Sequence, residues 1–268
     1  MRRTDLAFES ARDFKGTLSG VKTSVEDKGG FKIERVEITD ENSAKKLNKP
    51  CGNYVTVCVP TLSLFPDVDN TTAAAIADEL TRLLPKGEDT VLVAGLGNND
   101  ITADALGPKT INGIFATRHI GKELQQELNL PFLRSVAAVS PGVLGRTGIE
   151  TEEIILGVSN RLKPSCIIVI DALAAADKSR ICSSVQISNS GINPGSGVGN
   201  SRKEISKSTM GVPVISVGVP TVTDLGGGLV VTHRDIDLCI LRAAALISNA
   251  LNLALQPNLD LEIIQGLI

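Results

Sequence analysis

Apolar and charged side chains nearly alternate along two segments near the start of the chain, residues 31–38 and 54–59. A period of two in segments rich in β-branched residues predicts strands with one solvated face. Residues 40–47 between them fit a short helix, and residues 49–53 (KPCGN) are typical of a turn. We therefore predict a β-rich region over residues 6–66, built as an extension of the same folding unit as the rest of the chain.

Beyond Pro66 the pattern changes, because continuous apolar runs begin to alternate with segments of helical period. Both faces of such strands must avoid water, which requires a mainly parallel sheet covered by helices on each side. The pattern thus predicts an α/β fold, and without an internal repeat or a low-complexity linker it predicts one domain over residues 1–268. The predicted strands are 90–94, 134–139, 166–170, 185–188 and 212–217, and the predicted helices are 73–84, 102–120, 151–162, 201–209 and 235–255.

Composition and charge argue against several classes of partner. The net charge of -3 provides no broad cationic surface for nucleic acid. The apolar stretch 166–176 contains Asp171 and is shorter than the ~20 residues needed to cross a bilayer, and the first residues lack the apolar core of a signal peptide. The five cysteines show no C-x-x-C spacing, so we expect reduced structural thiols in a protein that is neither exported nor anchored in a membrane.

Two aspartates follow predicted strands of the parallel sheet. In such a sheet, ligands bind beyond the carboxyl ends of the strands, where the loops into the next helices converge. Strand 90–94 leads into a loop with Asp104 in the first turn of the next helix, and strand 166–170 ends directly in Asp171. We therefore expect both carboxylates at one edge of the sheet, where they can act as an acid/base pair or hold a divalent cation.

Each aspartate also has a simpler structural interpretation. Asp104 would interact favourably with the helix dipole in any first turn. A carboxylate that closes an apolar strand, as Asp171 does, costs free energy unless it is paired or hydrated. Asp100 lies in the same loop, but it follows Asn98-Asn99 and is typical of a turn, so it ranks third.

Two glycine-rich segments are weaker indications of function. Gly95 and Gly97 follow a strand, but the third glycine of a dinucleotide fingerprint is replaced by Asp100. The loop 191–200 (GINPGSGVGN) precedes a predicted helix and fits an anion cradle, the wall of a peptide groove or a series of tight turns. It lacks the ending of a P-loop. A non-catalytic nucleotide- or anion-binding module therefore stays open as an alternative.

The sequence does not support the ordinary nucleophiles and metal ligands. His119 and His233 have no partner at zinc-ligand spacing. No G-x-S-x-G elbow is present, and a cysteine–histidine pair has no local signature. Carboxylate chemistry is thus the strongest enzymatic hypothesis.

A series of long motifs runs along most of the chain. The motifs are RTDLA at 3–7, KPCGNY at 49–54, GLGN at 95–98, DALGP at 104–108, TRH at 117–119, PGVLG at 141–145, TGIET at 147–151, IDALAA at 170–175, GINPGSGVGN at 191–200 and GVPTV at 218–222. So many long motifs in one order are highly specific, and in this order they resemble the germination protease family over most of the chain.

This resemblance implies a self-processing cytoplasmic zymogen, a homotetramer in the spore core, that starts the degradation of small acid-soluble spore proteins during germination. It also implies a three-layer α/β fold similar to that of hydrogenase maturation proteases, whose two metal-binding acidic positions correspond to Asp104 and Asp171. In germination proteases this pair is proposed to be of the aspartic type, although the family has also been classified with metallopeptidases. We therefore expect Asp104 and Asp171 to act without a cofactor, and a divalent metal at the pair is the alternative.

The resemblance further implies a cut between Asp5 and Leu6, in a segment similar to the cleavage sequence of the spore-protein substrates, so that residues 1–5 form a propeptide. The chain is shorter than the family pattern between Val231 and the last helix, so contacts or zymogen control supplied by that region are expected to differ. The expected substrate-binding residues are Asn98, Pro141, Gly142, Gly191, Asn193, Gly195, Gly197 and Gly199.

Overall fold

A nine-stranded sheet organises the chain in the computed structural model, which describes residues 3–87, 89–127, 130–199, 202–226 and 229–268. The strand order is β1-β2-β3-β7-β8-β6-β4-β5, and β9 pairs with β8. The strands are β1 (Val21–Lys28), β2 (Phe31–Ile38), β3 (Gly52–Cys58), β4 (Val91–Gly95), β5 (Val136–Val139), β6 (Cys166–Ala175), β7 (Ser184–Ser188), β8 (Val214–Asp224) and β9 (Val230–Thr232).

The two halves of the sheet differ in strand direction. β4, β5, β6 and β8 are parallel, whereas β7, β3, β2 and β1 continue the sheet through antiparallel pairs. The continuous apolar runs form the parallel half, and the alternating segments near the start of the chain form the outer strands of the other half. The predicted α/β fold is confirmed, and the β-rich N-terminal region belongs to the same sheet.

Helices cover both faces of this sheet. On one face α3, α4 and α9 pack against Ile168 and Ile170 of β6, and on the other face Ile155 of α7 packs against Ile167 and Val169. The three layers follow from the alternation of side chains along a strand. The helices of the described residues are α1 (Ala7–Asp13), α2 (Glu41–Leu47), α3 (Thr71–Leu83), α4 (Leu106–Ile111), α5 (Lys122–Glu127), α6 (Leu144–Thr147), α7 (Thr151–Leu162), α8 (Lys207–Met210), α9 (Ile236–Leu255) and α10 (Leu261–Leu267).

The two strands β6 and β8 are longer than their apolar cores predict. They extend to Ala175 and Asp224, beyond the predicted ends at residues 170 and 217. Each continues to pair with the other after β4 has stopped at Gly95. As a consequence Asp171, which was expected to end its strand, lies inside β6.

The helix predicted over residues 102–120 is wrong in length. A short 3-10 turn at Thr102–Asp104 is followed by α4, which ends at Ile111. Asn112 and Gly113 come next, and both are poor helix formers. Asp104 therefore lies in a tight turn before α4 and not in the first turn of a long helix.

The helix predicted over residues 201–209 begins later than expected. Ser206 and Thr209 form a reciprocal capping box, so α8 starts at Lys207. Before it, Ile205 is extended and forms a bridge with Ile192 of the glycine-rich loop. The predicted first residue of this helix, 201, lies outside the described residues.

Helix α9 is apolar and long enough to cross a membrane, alone among the helices of the described ranges. Of its most apolar window, 61% is buried inside the fold, where Cys239, Ile240 and Ile247 contribute to the core. Burial of this kind is typical of a core helix. The five cysteines are free, and Cys166, Cys182 and Cys239 are buried, as expected for structural thiols.

Candidate active site

Asp171 lies where β6 loses its neighbour β4 and keeps its neighbour β8. β4 pairs with β6 up to Gly95 and Ile170, so Asp171 is the first residue of β6 beyond that pairing, while it stays opposite Gly218 of β8. The residue is 5% exposed, and one carboxylate oxygen accepts a hydrogen bond from the N–H of Ala172 (2.9 Å). In the described part of the chain this is its single donor, so the ionised form is poorly stabilised.

Asp104 comes from the loop after β4 and lines the same cleft as Asp171. The loop turns at Gly97, which has a φ of 113°, and a Cβ there would collide with the carbonyl oxygen of Asp104. The N–H of Asn98 donates to Asp104 Oδ2 (2.8 Å). The hydroxyl of Thr221 on β8 donates to the carbonyl of Ala103 (2.7 Å). These contacts fix the loop, and with it the Asp104 carboxylate, against the end of the sheet.

The two carboxyl groups differ in how easily they ionise. Burial raises the pKa of Asp171 well above its usual value, and the charges of Asp104 and Asp5 raise it further. Burial also raises the pKa of Asp104, but the N–H of Asn98 partly offsets this effect. Neighbouring carboxyl groups resist ionising together. As the pH rises, Asp171 is therefore the member of the pair that keeps its proton longer.

The cleft that contains both aspartates has a volume of about 470 Å³. Apolar side chains such as Leu96, Val143 and Val222 form much of its wall, and Arg202 and Lys203 also line it. A cleft with an apolar wall, a few polar groups and carboxyls of raised pKa is typical of an active site.

The chain's own N-terminal segment enters this cleft. The N–H of Asp5 donates to the carbonyl of Ala174 on β6 (2.8 Å), as a neighbouring strand would. The Leu6 side chain is 1% exposed and packs against Leu173 and Ala175. The segment thus lies along the strand that carries the buried aspartate.

The glycine-rich loop binds the side chain of Asp5. Ser196 Oγ donates to Asp5 Oδ1 (2.8 Å), and the N–H of Ala174 donates to Oδ2 (2.8 Å). Gly197 lies against the same carboxylate, and a Cβ at that position would collide with it. The predicted groove residue Gly197 therefore lies directly against the acidic side chain of the N-terminal segment.

The other residues predicted in this loop have different surroundings. Gly195 lines the 470 Å³ cleft, whereas Gly191 and Asn193 line a second cavity of about 120 Å³ that also includes Asp5. Gly199 lies against the guanidinium of Arg3. The last residue of the motif, 200, is outside the described residues.

The turn at residues 141–145 reaches the cleft through Val143. Pro141 is buried. Gly142 has a φ of 77°, and its carbonyl accepts a hydrogen bond from the hydroxyl of Thr151 (3.1 Å). These two predicted residues shape the turn, and their neighbour Val143 supplies the side chain at the cleft wall.

The side chains of Asn98 and Asp100 stabilise the loop after β4. Asn98 Oδ1 accepts from the N–H of Asp100 (3.1 Å), so the predicted substrate-binding residue Asn98 uses its side chain in the turn and its N–H on Asp104. Asp100 is exposed and forms an ion pair with Arg146. This position agrees with the interpretation of Asp100 as a turn residue.

Three polar residues around the N-terminal segment were missed by sequence reasoning. Lys49 Nζ donates to the carbonyl of Thr4 (2.8 Å). The Gln186 side chain contacts the main chain on both sides of Leu6. Glu9, 1% exposed, accepts from two N–H groups just beyond β6. A glutamine in the centre of a buried strand was a usable signal, since a buried amide requires partners.

The two histidines and the cysteines do not create a metal site with the aspartates. Within the described ranges, no three His, Cys, Asp or Glu side chains converge closely enough to hold a metal ion. His233 Nδ1 accepts from the N–H of Asp235 (3.1 Å), which is a local turn contact. A divalent cation at the pair would take two ligands from the protein, Asp104 and Asp171, and the remainder from water or substrate.

The fold and the cleft together define an α/β protein with paired aspartates beside a bound peptide segment, which is an arrangement suited to a peptidase. The family model described as germination protease matches residues 3–226. The chain therefore belongs to the germination protease family, and it is a protease.

Curated relatives support this assignment over nearly the whole chain. The germination protease of Caldanaerobacter subterraneus subsp. tengcongensis is 40% identical over 311 aligned positions, which cover 96% of this chain and 95% of the relative. That of Clostridium tetani is 37% identical, with 97% of each chain covered. Because the chain itself has 268 residues, the longer alignment includes gaps, and the first relative carries segments that this chain lacks.

A solved structure of a NiFe hydrogenase maturation protease, HycI from Thermococcus kodakarensis KOD1, is also similar to part of the chain. It is 19% identical, with a TM-score of 0.39, and the match covers 65% of this chain and 98% of that one.

Proposed function

We propose that the protein is an endopeptidase of the aspartic type that starts the degradation of small acid-soluble spore proteins during germination. In this proposal it is made in the cytoplasm of the spore core as a zymogen that cuts itself between Asp5 and Leu6. Asp104 and Asp171 act as its acid/base pair and need no metal. The relatives named germination protease support a protein substrate, since a protease that acts in germination requires a protein to degrade.

One observation carries the proposal: the segment with the expected cleavage sequence lies in the cleft that the two aspartates line. Its main chain bonds to β6, and its acidic side chain is bound by Ser196, Ala174 and the bare main chain of Gly197. These are contacts that a peptide substrate would make before a cut, and the Leu6 side chain, after the cut, packs against Leu173 and Ala175. The arrangement therefore favours an acidic residue before the cut and an apolar residue such as Leu6 after it.

The chemistry assigned to the pair follows from the difference in their ionisation. Asp104, which ionises first, accepts a proton from water, and the water oxygen bonds to the carbonyl carbon of Asp5. Asp171, which keeps its proton, donates that proton to the nitrogen of Leu6 as the C–N bond breaks. The carboxyl group of Asp5 and the amino group of Leu6 are the products, and one proton passes back from Asp104 to Asp171.

Self-processing gives the first testable outcome. We expect the purified chain to lose residues 1–5 and to expose Leu6 as a new N-terminus, which intact-mass measurement detects. Asp5→Ala removes the carboxylate that Ser196 and Ala174 bind. It should slow the cut by roughly 10- to 100-fold, because a hydrogen bond to a charged group contributes about 1.5–3 kcal/mol.

Asp13→Ala is the matched control, since Asp13 is an exposed carboxylate in the same N-terminal segment that bonds to its neighbour Arg12. It should be processed at the wild-type rate. Protein that degrades a small acid-soluble spore protein while it keeps residues 1–5 would contradict the proposed activation.

The proposed homotetramer is a second testable outcome. The apolar side chains of α9 lie in two environments: Ile240 and Ala244 are in the core, whereas Leu241 is 61% exposed. An exposed apolar face on a core helix is suited to contact between subunits. We expect light scattering at micromolar concentration to give the mass of four chains, and Leu241→Glu to lower it. Leu64→Glu changes a residue that is 65% exposed outside α9, and it should not lower the mass. A monodisperse monomer of the wild type would refute the tetramer.

A further inference from the structure

Gln186 lies in the middle of β7, the strand between the parallel and antiparallel halves of the sheet, and is 7% exposed. Its amide Nε2–H donates to the carbonyl oxygen of Asp5 (3.0 Å). Its Oε1 accepts from the N–H of Ala7 (2.8 Å). The two ends of one side chain therefore bind the carbonyl of the Asp5–Leu6 peptide bond and the N–H of the next peptide, Leu6–Ala7.

The neighbours of Gln186 on the same face of β7 do not reach this segment. Ser184 Oγ donates to the carbonyl of Arg180 (3.4 Å), and Ser188 Oγ bonds to Ser190 Oγ (2.7 Å). Both serines are satisfied close to their own strand. Short local contacts of this kind are thus enough to satisfy a polar side chain on this face of β7. The longer side chain of Gln186 instead reaches the N-terminal segment.

Other contacts fix the carbonyl group that Gln186 binds. Upstream, Lys49 Nζ holds the carbonyl of Thr4 (2.8 Å), and the carbonyl of Ala174 accepts the N–H of Asp5 (2.8 Å). Asp5 lines both the cleft with the two aspartates and the smaller cavity with Gln186. Asp5 is therefore shared by the cleft of the carboxyl pair and the cavity that includes Gln186.

From this placement we propose that Gln186 is a further catalytic residue, whose amide stabilises the negative charge that develops on the carbonyl oxygen of the bond being cut. The inference depends on the proposed function, because it takes Asp5–Leu6 as that bond. When the water oxygen bonds to the carbonyl carbon of Asp5, the C=O electron pair moves onto the oxygen, and the Nε2–H of Gln186 bonds to it. The contact with Ala7 keeps the amide oriented, and spore-protein substrates use the same two contacts.

The test compares the rate of self-cleavage of the full chain in three variants. Gln186→Met keeps the length of the side chain and removes both hydrogen bonds. Gln186→Glu keeps an acceptor for the N–H of Ala7 but has no N–H for the carbonyl of Asp5. Removal of one donor to a developing oxyanion typically costs about 10²–10³-fold in rate, and we expect a loss of that size in both variants.

Gln256→Met is the matched control for the loss of a buried glutamine. Gln256 is 2% exposed and also binds a main chain at both ends of its amide, since it accepts from the N–H of Arg134 (3.0 Å) and donates to the carbonyl of the same residue (2.9 Å). It lies outside the cleft. Gln256→Met should lower the thermal midpoint as Gln186→Met does and leave the rate of self-cleavage within a few-fold of wild type.

Each outcome bears on the inference. If the wild type cuts itself and Gln186→Met does so within tenfold of its rate, the catalytic role of Gln186 is overturned but the proposed cut is not. The same holds if Gln186→Met is slow but Gln186→Glu cleaves at the wild-type rate. If Gln186→Met does not fold, the rate of self-cleavage of Gln186→Glu alone tests the role of Gln186. A wild-type chain that is never cut at Asp5–Leu6 overturns the proposed cut, and the inference with it.

Discussion

Replacement of Asp104 or Asp171 by asparagine is expected to lower peptide cleavage by about 10²–10⁴-fold, the range in which a general acid or base contributes. Asparagine keeps the size of the side chain and an acceptor oxygen but cannot exchange a proton. Because the two carboxyls share one catalytic cycle, the double variant should be little slower than either single variant. Self-cleavage and degradation of a small acid-soluble spore protein, both followed by mass spectrometry, measure the effect.

Asp100→Asn is the control for this experiment, because Asp100 belongs to the same loop but is exposed and paired with Arg146. It should cleave at nearly the wild-type rate. Near-normal cleavage by folded Asp104→Asn or Asp171→Asn protein would refute the catalytic pair.

Chelation separates the two chemistries that the same aspartates allow. Wild-type cleavage should survive exhaustive chelation if the pair acts as acid and base. Chelator-sensitive wild type together with inactive asparagine variants would instead identify Asp104 and Asp171 as ligands of a divalent cation.

The parallel half of the fold could be predicted because its physical signal is local. Strands such as β4 and β6 are buried on both faces, so their sequences are continuous apolar runs. The ends of elements were less predictable. β6 continues past Asp171 because β8 pairs with it there, and this long-range partner leaves no mark on the local pattern.

Several elements were missed for a related reason. β1 is a hairpin partner of β2 and is mostly exposed, so it carries little apolar periodicity. α1 has seven residues and no side-chain N-cap, so its sequence shows neither a long helical period nor a start signal, whereas α2, of equal length, is capped by Asp40. Both elements are defined by what they pair with or pack against.

The sequence could predict the part of the candidate site that lies beyond the carboxyl ends of the parallel strands. The rule that ligands bind at these strand ends selects Asp104 and Asp171 from the sequence, and both line one cleft in the structure. The rule cannot select Lys49 or Gln186, because Lys49 precedes β3 and Gln186 belongs to the antiparallel strand β7. Each contacts the N-terminal segment. Their position depends on how a distant segment crosses the sheet, which no single-strand pattern contains.

Asp171→Asn is expected to make the fold more stable near neutral pH while it removes activity. The buried environment raises the pKa of this carboxyl above its unfolded value. Below the unfolded pKa both states carry the proton, so the group then has no effect on stability. As the pH rises between the two pKa values, the folded protein binds more protons than the unfolded chain, and the free energy of unfolding falls. Asparagine does not titrate and avoids this loss.

The thermal midpoint of Asp171→Asn should therefore exceed that of wild type by several degrees at pH 8, and the difference should vanish toward pH 3. Asp104→Asn should behave in the same direction with a smaller gain, because Asp104 is less buried and accepts the N–H of Asn98. Asp100→Asn, at an exposed ion pair, should change the midpoint little at either pH. Calorimetry between pH 3 and pH 8 checks the sign of the difference in thermal midpoint. A midpoint of Asp171→Asn below that of wild type at pH 8, with the difference vanishing toward acid pH, would mean that the Asp171 carboxylate is stabilised in the fold, as a bound cation would stabilise it, and would favour metal binding over acid/base chemistry.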